Sequence, residues 1–433
     1  MCNYKFDTLQ LHAGQQSDKS TGAIAVPIYQ TTAYDFQTIE HAGNLFALKE
    51  PGYIYTRLNN PTVDAFEQRI AALEGGSAAV ATASGMSAEF LTIATLCNSG
   101  DNIVSSAALY GGTYNQFKQT LKKLGITVKF PKKDIPAGRG ICGADIEELI
   151  DENTKGVYVE TIANSDFSVP DFESLSAVCK RHNVPLIVDN TLGCGGYICR
   201  PKDFGANIIV HSATKSIGGH GNSLAGVIVD CGNFNWDNGK FDSFVLPDES
   251  YHGISFFKEF GNATFAARVR CISLRDYGCS LSPFNAFLLL TGCETLSLRA
   301  QRVADNALKF AKWLQERPEV AKVNYPGLPD HPSYKNGVKY MKHGFGGVFT
   351  VDLTATKEDT VKVVESLKLI TLTANLGDNR TLVSHPASTI HAQLSDEELR
   401  KVGLKPGTIR LSIGIEDVED IIADFAQALS LLQ

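Results

Sequence analysis

Between Ala78 and Asp230 the chain repeatedly produces short runs that are apolar at nearly every position, and this narrows the choice of fold more than any other feature. In Val184-Pro185-Leu186-Ile187-Val188 no residue is polar. A strand with no polar side must be covered on both faces, as in parallel sheets flanked by helices. Strand-like runs of this kind are Ala78–Ala83, Asn102–Ser105, Ile126–Phe130, Gly156–Thr161, Val184–Asn190, Ile208–Ser212 and Leu224–Asp230. Segments with apolar residues near helical spacing lie between them, at Met86–Cys97, Tyr114–Leu124, Ala144–Asp151 and Phe172–His182. The alternation predicts an α/β fold with a mostly parallel central sheet. In such sheets a ligand sits beyond the carboxyl ends of the strands.

The flanks read differently. The first sixty residues look irregular, broken by Gly14, Gly22, Pro27, Pro51 and Gly52. The aromatic-rich stretch from Gly232 to Phe260 is predicted to be a long loop. A helical region runs through Phe284–Leu290 into Glu294–Leu314. Gly347–Leu353, Thr381–Ser384, Thr408–Ile413 and a last helix near Val418–Leu432 then form a smaller α+β domain. The expected plan is an arm over residues 1–60, a large domain over 61–298 and a small domain over 299–433.

Composition removes several classes. With 43% apolar and 20% charged residues, the 433-residue chain is of ordinary globular make-up. Forty Lys+Arg against 47 Asp+Glu give a net charge of -7, which makes nucleic acid an unexpected partner. No apolar run approaches the roughly 18 residues of a spanning helix, and the first residues lack the apolar core of a secretory signal. Ten scattered cysteines fit reduced thiols in a cytoplasmic protein. Cys194 and Cys199 lack metal-ligand spacing, so no metal is expected.

Two motifs mislead. Gly138-Arg139-Gly140-Ile141-Cys142-Gly143 matches a dinucleotide fingerprint and would suggest a NAD-dependent dehydrogenase. However, Pro131–Ala137 separates it from the preceding strand, so it reads as a surface loop. Ser212-Ala213-Thr214-Lys215 fits the pattern of penicillin-recognising serine enzymes but lacks their companion elements.

The same tetrapeptide gains meaning beside Asp189. Asp189 ends one strand and Lys215 follows the next, one crossover later. A lysine to form an imine and a carboxylate to keep a pyridine nitrogen protonated are what pyridoxal phosphate requires. Ser212 and Thr214 offer hydroxyls for its phosphate. Ser84-Gly85-Met86 opens a helix whose first N–H groups suit an anion. In loops, Arg57 of Tyr53–Arg57 is suited to clamping a phosphate and Tyr110 to stacking on a ring. Arg410 interrupts an apolar strand with a fork suited to a carboxylate.

With these residues in place, the chain resembles the cysteine/methionine-metabolism family of pyridoxal-phosphate enzymes, of the aspartate-aminotransferase type (fold type I). Within that family it is most similar to the O-acetylhomoserine sulfhydrylase branch. The likeness is carried by FDTLQLHAG (Phe6–Gly14), VPIYQTTAY (Val26–Tyr34), YTRLNNPT (Tyr55–Thr62), LYGGTYNQF (Leu109–Phe117) and VDNT (Val188–Thr191). It continues through HSATK (His211–Lys215), GGHG (Gly218–Gly221), ETLSLR (Glu294–Arg299), HPAST (His385–Thr389) and RLSIGIED (Arg410–Asp417). The Gly232–Phe260 insertion also resembles that branch.

The resemblance implies Lys215, Tyr110 and Tyr55 as catalytic residues, with Lys215 the Schiff-base lysine and Tyr110 the ring-stacking tyrosine. It implies Asp189 as the pyridinium partner, Gly85, Met86, Ser212 and Thr214 as a phosphate cup, and Asn164 near the phenolic oxygen. Tyr55 and Arg57 would complete the cup from a neighbouring subunit, in a homo-oligomer that is a dimer of dimers by family habit. Asn375 and Arg410 would bind the substrate α-carboxylate. The implied reaction is γ-replacement on O-acetyl-L-homoserine, with sulfide or a small thiol displacing acetate to give homocysteine or methionine. A carbon or amine nucleophile, or a cystathionine γ-synthase or lyase activity, is the alternative. Four positions depart from the family pattern: Ser165, Leu192, Ser216 and Asn222. Serine in place of an aromatic at 216, together with Leu192, Ser165 and Asn222, predicts a nucleophile pocket that is roomier or more polar than in a standard sulfhydrylase.

Overall fold

The computed structural model describes residues 4–132, 135–389 and 405–432. Seven strands build the larger sheet: β1 (Ala78–Thr82), β2 (Asn102–Ser105), β3 (Thr127–Lys129), β4 (Thr154–Glu160), β5 (Leu186–Asp189), β6 (Ile208–His211) and β7 (Gly226–Asp230). Their order is β1-β7-β6-β5-β4-β2-β3. All neighbours are parallel except β7, which runs antiparallel to both β1 and β6.

The all-apolar runs explain this placement. Val188, Val159 and Ile209 project into one hydrophobic core, which also holds Phe66, Ile70 and Leu175. Ile187, Tyr158 and Ile208 project into the other, beneath Leu91 and Ile93 of helix Gly85–Leu96. Alternate residues of each strand thus fill opposite layers, and both faces of the sheet are dry. Every strand read from the sequence is present, with ends moved by one or two residues.

The smaller sheet contains β8 (Val320–Asn324), β9 (Val348–Leu353), β10 (Thr371–Leu372), β11 (Leu382–Ser384) and β12 (Thr408–Ser412), in the order β10-β11-β12-β9-β8. Helices Leu296–Gln315 and Val418–Leu429 cover it, placing Phe310 and Phe425 in a third core. Strands β8 and β10 are the two edges and were not expected. Their partly exposed, mixed residues carry little apolar alternation.

Two other expectations are corrected. The first sixty residues contain helices Phe6–His12 and Ile39–Phe46. The first is anchored from outside itself, because buried Arg69 donates to the carbonyls of Gln10 and Ala13, each at 2.5 Å. The Gly232–Phe260 stretch is not a plain loop. It includes helices Asp242–Val245 and Phe256–Phe260, and Trp236 stacks on Phe244 at 4.3 Å and on Phe265 at 5.5 Å. Rings with this much apolar surface stabilise the segment by forming their own core.

The glycine motif at 138–143 is a loop, as expected. Ser333 Oγ donates to Gly138 O at 2.5 Å and itself accepts from Gly140 N–H at 3.1 Å and Val169 N–H at 3.0 Å. Its glycines serve close packing rather than a nucleotide. A Cβ on Gly140 would fall inside the Val169 carbonyl. Lys133 and Asp134, in the segment before it, lie outside the described residues. Among the described residues no helix is long and apolar enough to cross a membrane.

Candidate active site

A cleft with a cavity volume of about 220 Å³ opens at the carboxyl ends of β4, β5 and β6. It gathers Gly85, Met86, Tyr110, Asn164, Asp189, Ser212, Thr214, Lys215 and Arg410, residues spread over more than 300 positions of sequence.

At its floor, Asp189 and Glu160 end adjacent parallel strands in direct register. Asp189 accepts a 2.8 Å hydrogen bond from Thr191 N–H. Burial raises its pKa, partly offset by its bonds to Thr191. Glu160 accepts from Tyr110 N–H at 2.5 Å and from Asn164 N–H at 2.7 Å, tying together the loops that carry both residues. Burial, with Asp189 as the second cause, pushes the Glu160 carboxyl up to about 8. Two carboxyls side by side in a dry site cannot both ionise without a cation, and a protonated ring nitrogen would supply one.

Lys215 follows β6 in a tight turn, its N–H bonded to Ser212 O at 3.2 Å. Its Nζ donates to Asn375 Oδ1 at 2.6 Å. Burial, then the Arg410 charge, lowers its pKa, so the amine is easier to deprotonate than a surface lysine. Arg410 is buried in the middle of β12, and burial lowers its pKa too. No described carboxylate pairs with it.

The opposite end is built from backbone. Ser84 caps helix Gly85–Leu96 by accepting from Ser87 N–H at 3.1 Å. A Cβ on Gly85 would sit 2.7 Å from Ser212 Cβ, so only glycine lets the two segments meet. Ser212 N–H is held by Thr191 Oγ1 at 2.8 Å. Thr214 Oγ1 donates to Ala225 O at 3.2 Å and accepts from Ala225 N–H at 3.0 Å. Its hydroxyl therefore braces the turn after β6. These groups fit pyridoxal phosphate: a helix start for the phosphate, a carboxylate for the ring nitrogen and an amine for the aldehyde. Asn164 Oδ1, buried at the cleft without a partner, is a further polar atom that a ligand would satisfy.

Other expected residues fall elsewhere. Tyr110 stands at the rim, 48% exposed, with its ring resting where a Cβ on Gly112 would clash. Asn375 meets Lys215 rather than lining the cleft. Tyr55, 42% exposed, and Arg57 lie outside their own chain's cleft. The Arg57 guanidinium sits 5.6 Å from the Tyr55 ring and donates to Arg275 O. Of the four departures only Leu192 lines the cleft. Ser216 instead borders a separate void of about 30 Å³ with Cys194, Arg299 and Gly377, and Arg299 holds its carbonyl at 2.8 Å. The change from an aromatic therefore does not enlarge the main cleft. Glu89, Glu160 and Tyr158 were missed. An acid inside an otherwise apolar helix, and a Tyr and a Glu ending the apolar run Val157–Glu160, were the available signals.

Comparison with known proteins agrees with this geometry. The family model for Cys/Met metabolism PLP-dependent enzymes matches residues 7–430. The chain is 52% identical to a homocysteine synthase of Schizosaccharomyces pombe, with 98% of each chain covered. It is 50% identical to O-acetyl-L-homoserine sulfhydrylase 1 of Thermus thermophilus, covering 98% of this chain and 100% of the relative. Among solved structures, a putative O-acetylhomoserine (thiol)-lyase of Campylobacter jejuni superposes with a TM-score of 0.92 at 38% identity, covering 99% and 100% of the two chains. That protein carries an N'-pyridoxyl-lysine-5'-monophosphate. A helix start, a buried carboxylate and a half-buried lysine meet in one cleft, within a match that spans nearly the whole sequence, and the chain belongs to the Cys/Met metabolism family of pyridoxal-phosphate-dependent enzymes.

Proposed function

We propose that this protein catalyses γ-replacement on O-acetyl-L-homoserine, with sulfide or a small thiol displacing acetate to give homocysteine or methionine. The observation that carries the reading is the placement of the Lys215 amine and the Arg410 guanidinium, which pairs with no carboxylate among the described residues, in one cleft with Asp189. The names of relatives about half identical over almost the full length support the choice of substrate.

Bound pyridoxal phosphate supplies an electron sink that acidifies the amino acid's α- and β-hydrogens. The chain's own residues do the rest. Arg410, a buried cation without a described anion, receives the α-carboxylate and fixes which face of the amino acid meets Lys215. Lys215 Nζ, easily deprotonated and steered by Asn375, takes the α-proton and helps to move a β-proton. Asp189 holds the proton of the ring nitrogen. Tyr110 stacks at the rim and has a hydroxyl available to assist proton transfer. Gly85 and Met86 N–H groups and Ser212 receive the phosphate, while Thr214 braces the turn beside it.

On this reading residues 1–60 form an arm that brings Tyr55 and Arg57 to a neighbouring subunit's cleft, beside a large domain (61–298) and a small one (299–433). Lys215 and Arg410 are the only cations among the described residues lining the cleft, and both serve the amino-acid end. A phosphate dianion then needs its countercharge from elsewhere, which supports a homo-oligomer assembled as a dimer of dimers. All described cysteines are free thiols, in keeping with a cytoplasmic enzyme.

The test offers purified protein O-acetyl-L-homoserine with sulfide, methanethiol, amines and enolisable carbonyl compounds, and identifies products by mass. Borohydride reduction and peptide mapping accompany it. Homocysteine or methionine, with a pyridoxyl label on Lys215, is expected. A carbon- or nitrogen-linked product in place of these, or a label on another lysine, overturns the proposal.

A further inference from the structure

The ring end of the cleft holds more acid than this chemistry uses. Glu89 lies one turn into helix Gly85–Leu96, 4% exposed, and borders the cleft. Thr113 Oγ1 donates to its Oε1 at 3.0 Å, while Oε2 is buried with no partner. Tyr158 of β4 is fully buried, and its hydroxyl is the other orphan. That hydroxyl interacts electrostatically with both Glu89 and Asp189 but forms a hydrogen bond to neither. Strand register explains the meeting. Tyr158 lies opposite Ile187 and Glu160 opposite Asp189, so Tyr158, Glu160 and Asp189 project from one face of the sheet, the face that Glu89's helix covers.

The ionisable groups facing one another here are therefore Glu89, Glu160, Asp189 and Tyr158, while His211 at the end of β6 also acts on Asp189 but is bound to buried Glu74 at 2.7 Å. One protonated ring nitrogen compensates one anion, so the other two carboxyls keep their protons. The donor Thr113 marks Glu89 Oε1 as the carbonyl oxygen, which leaves the proton on Oε2. Tyr158 has a single proton to give. With the proton on Glu89 Oε2, the arrangement that uses every donor has Glu89 donating to the Tyr158 oxygen and Tyr158 donating to the Asp189 carboxylate.

We propose that Glu89 and Tyr158 form a one-way hydrogen-bond chain that keeps Asp189 ionised beneath the cofactor's ring nitrogen. Both are positioning residues, acting on the cofactor through Asp189, and the inference rests on the proposed pyridoxal-phosphate chemistry.

Infrared spectra and pH titrations of the bound cofactor's visible absorbance, on the holoenzyme, provide the test. A protonated-carboxyl band present in the unaltered protein should disappear in Glu89→Gln. The titration midpoint of Glu89→Gln should stay within about 0.3 units of the original, because the amide N–H replaces the acid O–H. Tyr158→Phe should move it upward by about one unit. Without its donor Asp189 draws the proton from the ring nitrogen, and a neutral ring leaves the lysine nitrogen more basic. The double variant should shift no further than Tyr158→Phe alone. No lost band, a shift above about 0.3 units in Glu89→Gln, or an unmoved midpoint in Tyr158→Phe overturns the chain while leaving Lys215 labelling and product formation intact. A protein that takes up no pyridoxal phosphate overturns the proposed function and this inference together.

Discussion

The two ends of the cleft are built on opposite plans. At the ring end one chain provides everything, with Asp189, Glu160, Glu89 and Tyr158 buried together and tied to Thr191, Thr113 and the loops above. At the phosphate end the same chain provides shape, a capped helix start and the Gly85–Ser212 contact, but no basic side chain among the described residues. Chemistry that must be kept dry is placed inside a core. On the proposed reading, the countercharge of the phosphate comes from Arg57 of a neighbouring subunit, where water screens it until assembly.

The largest effect expected from breaking the chemistry that one chain provides by itself is in Lys215→Ala. Without the amine the α-proton has no acceptor at that position, and turnover should fall by a factor of ~10³ or more. Steady-state kinetics with O-acetyl-L-homoserine measure this, and retention of even a tenth of the activity would remove Lys215 from the reaction.

Arg57→Ala tests the phosphate end and should be comparably inactive alone. Mixed with Lys215→Ala subunits under conditions that exchange subunits, it should regain activity, because one cleft in the mixed oligomer then has both residues. Exchange without recovery would place Arg57 outside the shared site.

Gly85→Ala should retain the fold while weakening the cofactor. Its Cβ would meet Ser212 Cβ at 2.7 Å, forcing the helix start away from the phosphate position. Equilibrium dialysis should show affinity reduced about tenfold, equivalent to ~1.4 kcal/mol. Unchanged affinity would mean that the phosphate sits elsewhere.

A milder effect concerns pH. The Glu160 carboxyl titrates near 4.5 when unfolded and at about 8 when folded. The folded state therefore holds a proton that the unfolded state has lost. The stability from this group is fully present below pH 4.5 and declines as pH rises toward 8. Urea denaturation of cofactor-free protein should show that decline, and Glu160→Gln should flatten it. Parallel curves for the two proteins would show that Glu160 is ionised throughout.

The smallest effect on selectivity is expected at Ser216. A tryptophan there has to enter a void of about 30 Å³ beside Arg299, not the cleft. Stability should fall by ~1–3 kcal/mol through overpacking while the preference among nucleophiles stays the same. A changed product ratio would show that position 216 reaches the nucleophile.

The sheet was legible because Val157–Val159, Leu186–Val188 and Ile208–Val210 are apolar on both sides, a pattern that tolerates few alternatives. Edge strands β8 and β10 were not, since an edge needs neither two dry faces nor β-branched runs. Asp189 and Lys215 could be read because a strand end tells where a side chain must emerge. Glu89 and Tyr158 matter through a meeting of helix and strand some seventy residues apart. No spacing rule records such a meeting, and a single acid in an apolar helix looks like a surface residue until packing turns it inward. Ser216 illustrates the reverse: proximity to Lys215 in sequence suggested proximity to the nucleophile, but the tight turn after β6 directs neighbouring side chains to different cavities.

The antiparallel strand β7 also imposes an order on biosynthesis. Strand β1 has its only sheet neighbour in β7, about 140 residues later in the chain. On a ribosome adding ~5–20 residues each second, β1 and the helix it leads into wait ~7–30 s before that neighbour exists. The parallel strands β4, β5 and β6, with Asp189 among them, have emerged by then. A nascent chain therefore presents Asp189 on its paired parallel strands before β1 and helix Gly85–Leu96, with both Gly85 and Glu89, can take their final place beside it.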